Sequence, residues 1–354
     1  MTEVDPQFSR QLRNYGGFDF GACFNCGNCT GICNLSAPGL SFPREMMRMS
    51  VIGLKNEIKA SLKPWLCYYC GECSTHCPQA ANPGELMMSL RRWLTTQYDW
   101  TGLSGIFCRS AAASVAAFII TALAVFIFAL DNNFTHQYIM KAGHIFEMAA
   151  IVSVFIIILI PNLIRMWWFT VLKQQKKIGI SIYAGCLRDL FLHMFTQKNT
   201  LTCDGSRFRW FEHLVLVFGY LGLLITTVFL DWFNSNNLLI ILMGYIESIV
   251  IMAVTADFIY SRIKKRKEMN KYSQPSDWFF VIWLFTMGIT AFAVRLFIDM
   301  GLIEKNFWLY MIHLVILAQW ALIIVPFGKW THFLYRSFAI YFAAVTGLPL
   351  PGRQ

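Results

Sequence analysis

The chain has 354 residues, 56% of them hydrophobic and 14% charged, with a formal net charge of +10 at pH 7. A soluble domain carries about 25% charged residues, so a fold surrounded entirely by water is excluded for most of this length, and a mean hydropathy of +0.49 points the same way. The positive balance is concentrated in two loops between apolar runs, which removes the need for a nucleic-acid partner.

In chain order the first signal is cysteine. Eight of the eleven cysteines stand in two copies of one spacing, C-x2-C-x2-C-x3-C: Cys23, Cys26, Cys29 and Cys33, then Cys67, Cys70, Cys73 and Cys77. Gly27 and Gly71 hold the same place in each loop; Pro78 follows the second copy, whereas Asn34 follows the first. Structural zinc sites use paired C-x2-C units rather than such triplets. The spacing resembles the bacterial ferredoxin run for two [4Fe–4S] clusters, in which the fourth cysteine of each run ligates the other cluster. That resemblance implies one cluster on Cys23, Cys26, Cys29 and Cys77, and a second on Cys67, Cys70, Cys73 and Cys33. No secretory leader is expected ahead of these cysteines, and thiolate-bound clusters suit a reducing compartment, so this segment is expected to face the cytoplasm.

Between the runs, Pro43 to Leu62 reads as an amphipathic helix with Met46, Met47, Ile52, Leu54 and Ile58. Gly84 to Thr96 reads as a second, with Leu86, Leu90 and Leu94 at helical spacing. His76, beside Cys77, is read as a surface or cluster-shell residue. No Gly-rich phosphate loop and no nicotinamide or flavin fingerprint occurs. The composition changes at about residue 105, giving a cluster domain over 1–105 and a membrane domain over 106–354.

Six apolar runs after residue 105 are long enough to cross a bilayer, which takes roughly 20 residues each: approximately 111–130, 145–164, 211–230, 238–256, 278–298 and 307–327. The fold class expected is therefore all-α, a helical double-cluster domain followed by a six-helix bundle. The loop between the second and third runs carries Arg165, Lys173, Lys176, Lys177, Arg188, Lys198, Arg207 and Arg209; that between the fourth and fifth carries Arg262, Lys264, Lys265, Arg266, Lys267 and Lys271. The three opposite loops hold only Lys141 and Lys305. Positive loops stay inside, so both termini and the cysteine domain are expected on the cytoplasmic side of an inner membrane, with 174–206 as the one sizeable cytoplasmic insertion.

Clusters beside an apolar bundle need a route for electrons into the membrane, and haem between histidines on facing helices provides one. There is no C-x-x-C-H, so any haem is of the b type. His313 and His332 lie 19 residues apart across the sixth span, about 28 Å along a continuous helix, which leaves room for a haem near each face. Matching depths pair His332 with His213 at the inner face and His313 with His144 at the outer face. His136 competes for the outer site, and His193 for the inner one if the insertion folds back. Arg295, in the fifth span near its outer end, is a candidate for a haem propionate or a quinone oxygen. Glu247 and Asp257 are candidates for proton relay, Asp257 alternatively pairing with Arg262. Glu147 and Glu212 stand next to proposed ligands as proton acceptors. Cys108, Cys186 and Cys203 are read as buried thiols.

The N-terminal part resembles the C-type iron–sulfur component of heterodisulfide reductases. The later part, with His313 and then Pro326–Phe327–Gly328–Lys329–Trp330–Thr331–His332, resembles the haem b membrane subunits of heterodisulfide reductase and respiratory nitrate reductase. Their fusion resembles the membrane subunits of quinone-interacting membrane-bound oxidoreductase complexes of sulfate reducers. The resemblance implies menaquinone as the membrane substrate and b haems as cofactors. It also implies two cytoplasmic flavin and iron–sulfur partners related to heterodisulfide reductase A, with adenylylsulfate reductase beyond them. A quinone pocket would be apolar and aromatic; Trp167, Trp168, Trp278, Trp320 and Arg295 are its candidates. Two departures stand out. The nitrate reductase pattern has two histidines about ten residues apart on one helix, where Leu223 follows His213 here. The C-C-G motif of the heterodisulfide-cleaving enzyme is absent. A membrane subunit of a heterodisulfide reductase-type complex, a non-redox anchor with structural clusters, and a transporter with a cluster sensor are the alternatives; the last would want inverted repeats, which are not visible.

Overall fold

The computed structural model describes residues 3–174, 178–197, 200–201, 207–265 and 268–349. Lys176, Lys177, Lys198, Cys203, Arg266 and Lys267 lie outside them. Among the described residues there is no β-strand, only an isolated antiparallel bridge between Ala37 and Leu40. The all-α expectation holds.

The N-terminal part is a set of short helices: α1 (Phe8–Arg13), α2 (Asn28–Ile32), α3 (Arg44–Ile52), α4 (Lys55–Lys59), α5 (Lys63–Leu66), α6 (Glu72–Thr75), α7 (Pro83–Tyr98) and α8 (Leu103–Arg109). The single helix expected over 43–62 is broken. Gly53 adopts φ 88°, left-handed, and its N–H caps α3 on the Met49 carbonyl, so α4 sets off in a new direction. The second expected helix is α7, slightly longer than its apolar spacing implied. Pro83 sits at its first turn, where the missing N–H costs nothing.

Among the described residues six helices are long and apolar enough to cross a membrane: Ala111–Asp131, His136–Gln174, Arg207–Val228, Leu238–Ile263, Pro275–Asp299 and Trp308–Val345. The chain is a multi-pass membrane protein by that measure. The first is α9, started by the Ser110 side chain accepting from Ala113 N–H at 3.1 Å. The second is α10 (His136–Ser153) and α11 (Ile160–Thr170), joined by a π-helical turn over Val154–Leu159. After it, α12 (Ile180–Thr196) leads to α13 (Arg207–Val228) and α14 (Leu238–Ile263). A single turn, α15 (Glu268–Lys271), then precedes α16 (Pro275–Asp299), which opens with a capping box between Gln274 and Asp277. The sixth helix is α17 (Trp308–Gln319), a π-helical turn over Trp320–Ile324, α18 (Val325–Phe327) and, after a break, α19 (Thr331–Val345).

Two of these depart from expectation. The second and sixth run 39 and 38 residues, nearly twice the apolar runs, because their ends pack against the core of the N-terminal part rather than against lipid. Each has its π-helical turn just ahead of a proline, Pro161 or Pro326, which cannot donate to the helix ladder. The Ile157 carbonyl, four residues before Pro161, accepts instead from Trp100 Nε1 at 2.8 Å. At Gly328 the backbone is extended, so His313 and His332 do not share one continuous helix.

The cluster domain is not separate from the bundle. Its apolar core, built on Phe8, Leu12, Met46, Met47, Trp65, Leu90 and Trp93, continues into Met166 and Val171 of the second span and its end, Cys186 and Leu190 of α12, and Tyr335–Val345 of α19. Polar contacts reinforce the join. Arg165 donates to the Tyr98 and Gln97 carbonyls at 2.9 and 3.1 Å, and Asn162 Oδ1 accepts from Trp100 N–H at 3.0 Å. A buried chain of charges crosses the seam. Tyr69 donates to Glu85 at 2.6 Å; Glu85 and Asp277 each lie 3.0 Å from Arg92; Asp277 in turn lies 2.8 Å from Lys329. Arg92 also donates to the Tyr15 carbonyl at 2.9 Å. Removing one member of such a buried set leaves a charge unpaired and costs about 3–5 kcal/mol. Arg92→Met is therefore expected to loosen the N-terminal domain by about that amount. Denaturant unfolding and limited proteolysis of the full chain read it out, with cleavage advancing in 99–110, while Arg48→Met, an exposed site, leaves both unchanged.

Candidate cluster sites and membrane histidines

The two cysteine loops are conformational copies. Asn25 and Tyr69, each two residues after the first cysteine, have φ of 66° and 54°; Gly27 and Gly71 have φ of 91° and 92°. Glycine occupies the left-handed position without strain, and a short helix, α2 or α6, follows it in each copy. The two helices pack together, and Asn28 Nδ2 donates to the His76 carbonyl at 2.6 Å, tying one loop to the other. The first loop is further pinned by Arg44 Nε on Asn25 Oδ1 at 2.8 Å.

The thiols fall into two groups. Cys29 is pushed up in pKa by burial and then by Cys23, Cys26 and Cys77. Cys73 is pushed up by burial and then by Cys67, Cys70 and Cys33, with Cys29 weaker. Thiolates crowded in this way repel one another, and iron relieves the repulsion. Backbone N–H groups point at sulfur in the second run: Tyr69 to Cys67 at 3.3 Å and Ala81 to Cys77 at 3.4 Å. Cys33, Cys67, Cys70 and Cys73 line one cavity together with Phe42, Pro43 and Met87. Among the described residues no three His, Cys, Asp or Glu side chains converge on a single ion. A cubane cluster brings four irons of its own, each taking one thiolate, so its ligands stand apart. The residues fit two such clusters in donor type, grouping and backbone shape.

At the end of the bundle next to the cysteine loops three histidines come together. His213 of α13 lies with Nδ1 2.5 Å from Gln197 Oε1, an acceptor, so Nδ1 carries the proton and Nε2 the lone pair. α19 holds His332. The insertion does fold back: α12 packs along α19, and His193 is buried at 7% exposure, its Nδ1 without a hydrogen-bond partner. Burial, then the charges of Arg336 and His213, lower the His193 pKa to about 3, keeping its imidazole neutral. Any two of these rings could serve a haem iron.

At the other end His313 is buried, with Nδ1 2.9 Å from Thr290 Oγ1. Thr290 spends its own proton on the Thr286 carbonyl at 2.9 Å, so His313 Nδ1 is the donor and Nε2 is left for a metal. His144 is half-buried on α10. Its neighbour Gly143 lies so close to α17 that a Cβ there would collide with the Tyr310 hydroxyl. His136 is occupied otherwise, stacked on Phe307 with ring centroids 4.2 Å apart.

Other candidates find partners that explain them. Arg295 is 3% exposed; it donates to the Trp232 and Phe233 carbonyls and pairs with Asp299 at 2.6 Å, holding the turn after α13. Asp299 also accepts from Tyr245 at 2.6 Å. Glu247 accepts from Thr226 and fills the space over Gly222. Glu147 accepts from Thr227 at 3.3 Å, linking α10 to α13. Asp257 accepts from Ser261, and Arg262 donates to the Phe258 carbonyl, so the Asp257–Arg262 pair, the alternative to a proton-relay role, does not form. The aromatic quinone candidates are dispersed. Trp167 packs with the cluster-domain core, Trp320 lies in the membrane core, bonded to Tyr220 at 3.1 Å, and Trp168 is exposed. Trp278 and Arg295 stand about 25 Å apart along α16. Cys186 is buried, and burial pushes the Cys108 thiol up to about 11.

Sequence reading passed over Arg91 and Arg336. Arg91 donates to the Pro64 and Trp65 carbonyls at 2.8 and 3.3 Å, and both arginines donate to the carbonyl of Cys67. Two consecutive arginines inside an amphipathic helix, with leucines on either side, are the signal that could have marked the first.

The 4Fe–4S dicluster domain family matches residues 22–82. The chain is similar to a heterodisulfide reductase C-like protein of Archaeoglobus profundus, 28% identical over 98 residues, 27% of this chain and 52% of that protein. It is similar to the C-type component of the H(2):CoB-CoM heterodisulfide,ferredoxin reductase of Methanothermobacter marburgensis, 34% identical over 76 residues, 22% and 41% of the two chains. A third relative is the second C-type iron–sulfur component of the CoB–CoM heterodisulfide reductase of Methanocaldococcus jannaschii, 31% identical over 99 residues, 26% and 53%. The chain thus spans about half the length of the curated relatives it matches. No solved structure matches it. Residues 22–82 thus match the 4Fe–4S dicluster domain family, and the N-terminal part is similar to the C-type iron–sulfur components of heterodisulfide reductases, on a chain whose described residues include six helices long and apolar enough to cross a membrane.

Proposed function

We propose that the chain is the membrane subunit of an oxidoreductase complex, exchanging electrons between menaquinone or menaquinol and cytoplasmic flavin and iron–sulfur partners related to heterodisulfide reductase A. The resemblance to quinone-interacting membrane-bound oxidoreductases makes adenylylsulfate reduction in sulfate respiration the process served. One observation carries the reading: Arg336, on the helix that holds His332, donates to the carbonyl of Cys67, a residue of the second cysteine run. When bound, two [4Fe–4S] clusters and two b haems supply one-electron carriers between a two-electron quinone and a flavin. The residues do the rest. His213 and His332 are the inner haem pair, and His144 and His313 the outer pair. Gln197 and Thr290 hold His213 and His313 with Nε2 free for the iron. Glu147, one helical turn from His144, is placed to take a proton from quinol at the outer side, with Glu247 a second acceptor. Arg295 fixes the turn over the outer site. The basic loops put both termini and the clusters in the cytoplasm.

Three outcomes follow. His313→Ala is expected to lose about half of the haem b absorbance while both cluster EPR signals persist; full haem retention would remove His313 from the ligand set. Cys77→Ala is expected to remove the cluster of Cys23, Cys26 and Cys29 and leave that of its own run, read by iron content and EPR. Loss of the other cluster would show uncrossed ligation. Alkaline phosphatase fused after Asn236 is expected to be active and after Lys265 inactive; the reverse pattern would put the clusters outside.

A further inference from the structure

We infer that Arg91 and Arg336 form a cationic seat for the cluster of Cys33, Cys67, Cys70 and Cys73, which makes it the membrane-side cluster and leaves the set Cys23, Cys26, Cys29 and Cys77 facing outward. This rests on the cluster assignment proposed above. Arg91 is 4% exposed, yet every oxygen it touches is a backbone carbonyl, of Pro64, Trp65 and Cys67. A buried guanidinium with no carboxylate beside it among the described residues is costly. Arg336 brings a second cation to the same Cys67 carbonyl and lies over the Tyr68 ring at 4.1 Å. Arg91, buried among carbonyls alone, calls for an anion next to it. A cluster held by four thiolates is that anion, and Cys67 is one of its ligands. Arg336 stands one turn beyond His332 on α19, so the seat is also the point where this cysteine set meets the histidine-bearing helix. The other set is placed differently: Cys26 is exposed, and Phe24 beside it is 60% exposed.

Positive charge beside a cluster stabilises its reduced, more negative state and raises its potential. Arg336 is thus a positioning and tuning residue. The test is an EPR-monitored redox titration of the full chain with its cofactors, with a soluble dysprosium chelate as relaxation probe. Arg336→Gln is expected to lower the potential of one cluster and leave the other in place, and Arg336→Lys, which keeps the charge, to restore most of the shift. In the wild type the chelate is expected to speed relaxation of one signal only, the one that Arg336→Gln does not move. Unchanged potentials in Arg336→Gln would overturn the inference. So would relaxation of both signals alike, or of the shifted one. A wild-type chain holding iron for fewer than two clusters would instead overturn the cluster assignment, an outcome that iron analysis separates from the others; haem content does not enter.

Discussion

Asp277 stands between two cations, Arg92 from the cluster domain and Lys329 from the break in the sixth membrane helix. The rest of the arrangement depends on this carboxylate. It caps α16, and through Arg92 and Glu85 it reaches Tyr69 inside the second cysteine loop. A buried ionic chain contributes less to stability than to geometry, because the attraction between its members is largely offset by the loss of their hydration. What it provides is one register between two parts that would otherwise share only an apolar surface, and apolar surface is non-directional.

With that register set, the functional groups fall in sequence through the molecule. Cys26 of the first cysteine run is exposed, Arg91 and Arg336 both donate to the Cys67 carbonyl of the second, and His193, His213 and His332 gather at the end of the bundle next to the cysteine loops. His313 lies at the other end, with Thr290 behind it. The break around Gly328 matters here. Pro326 and the extended Gly328 let α19 leave the bundle and pack on α12, so the helix that holds His332 is the helix that meets the cluster domain.

Much of this was legible in the sequence for a simple reason. Cluster ligands need soft thiolates at short fixed spacings, and bilayer spans need long apolar runs, so both leave patterns that survive without a structure. The repeated C-x2-C-x2-C-x3-C and the six runs are of that kind. The single helix over 43–62 fails because methionine and isoleucine keep helical spacing across Gly53 while the backbone does not. The second and sixth helices outrun their apolar segments because hydropathy reports lipid contact, and α11 and α19 end against protein. The depth pairing of His213 with His332 could be read from span positions. The return of His193 could not, since it depends on α12 packing against α19. The roles of Arg295, Asp277, Arg91 and Arg336 were illegible, because a charged residue near a span end reads equally well as a snorkelling side chain until its partners are seen.

The measurement that bears most directly on the central claim is visible and EPR spectroscopy of the purified full chain, reduced with dithionite and then exposed to a menaquinone analogue. The account predicts b-haem absorbance together with two [4Fe–4S] signals, all reoxidised by the quinone. Cluster signals with no haem absorbance, or haem that the quinone leaves reduced, would contradict it and leave the membrane helices as an anchor.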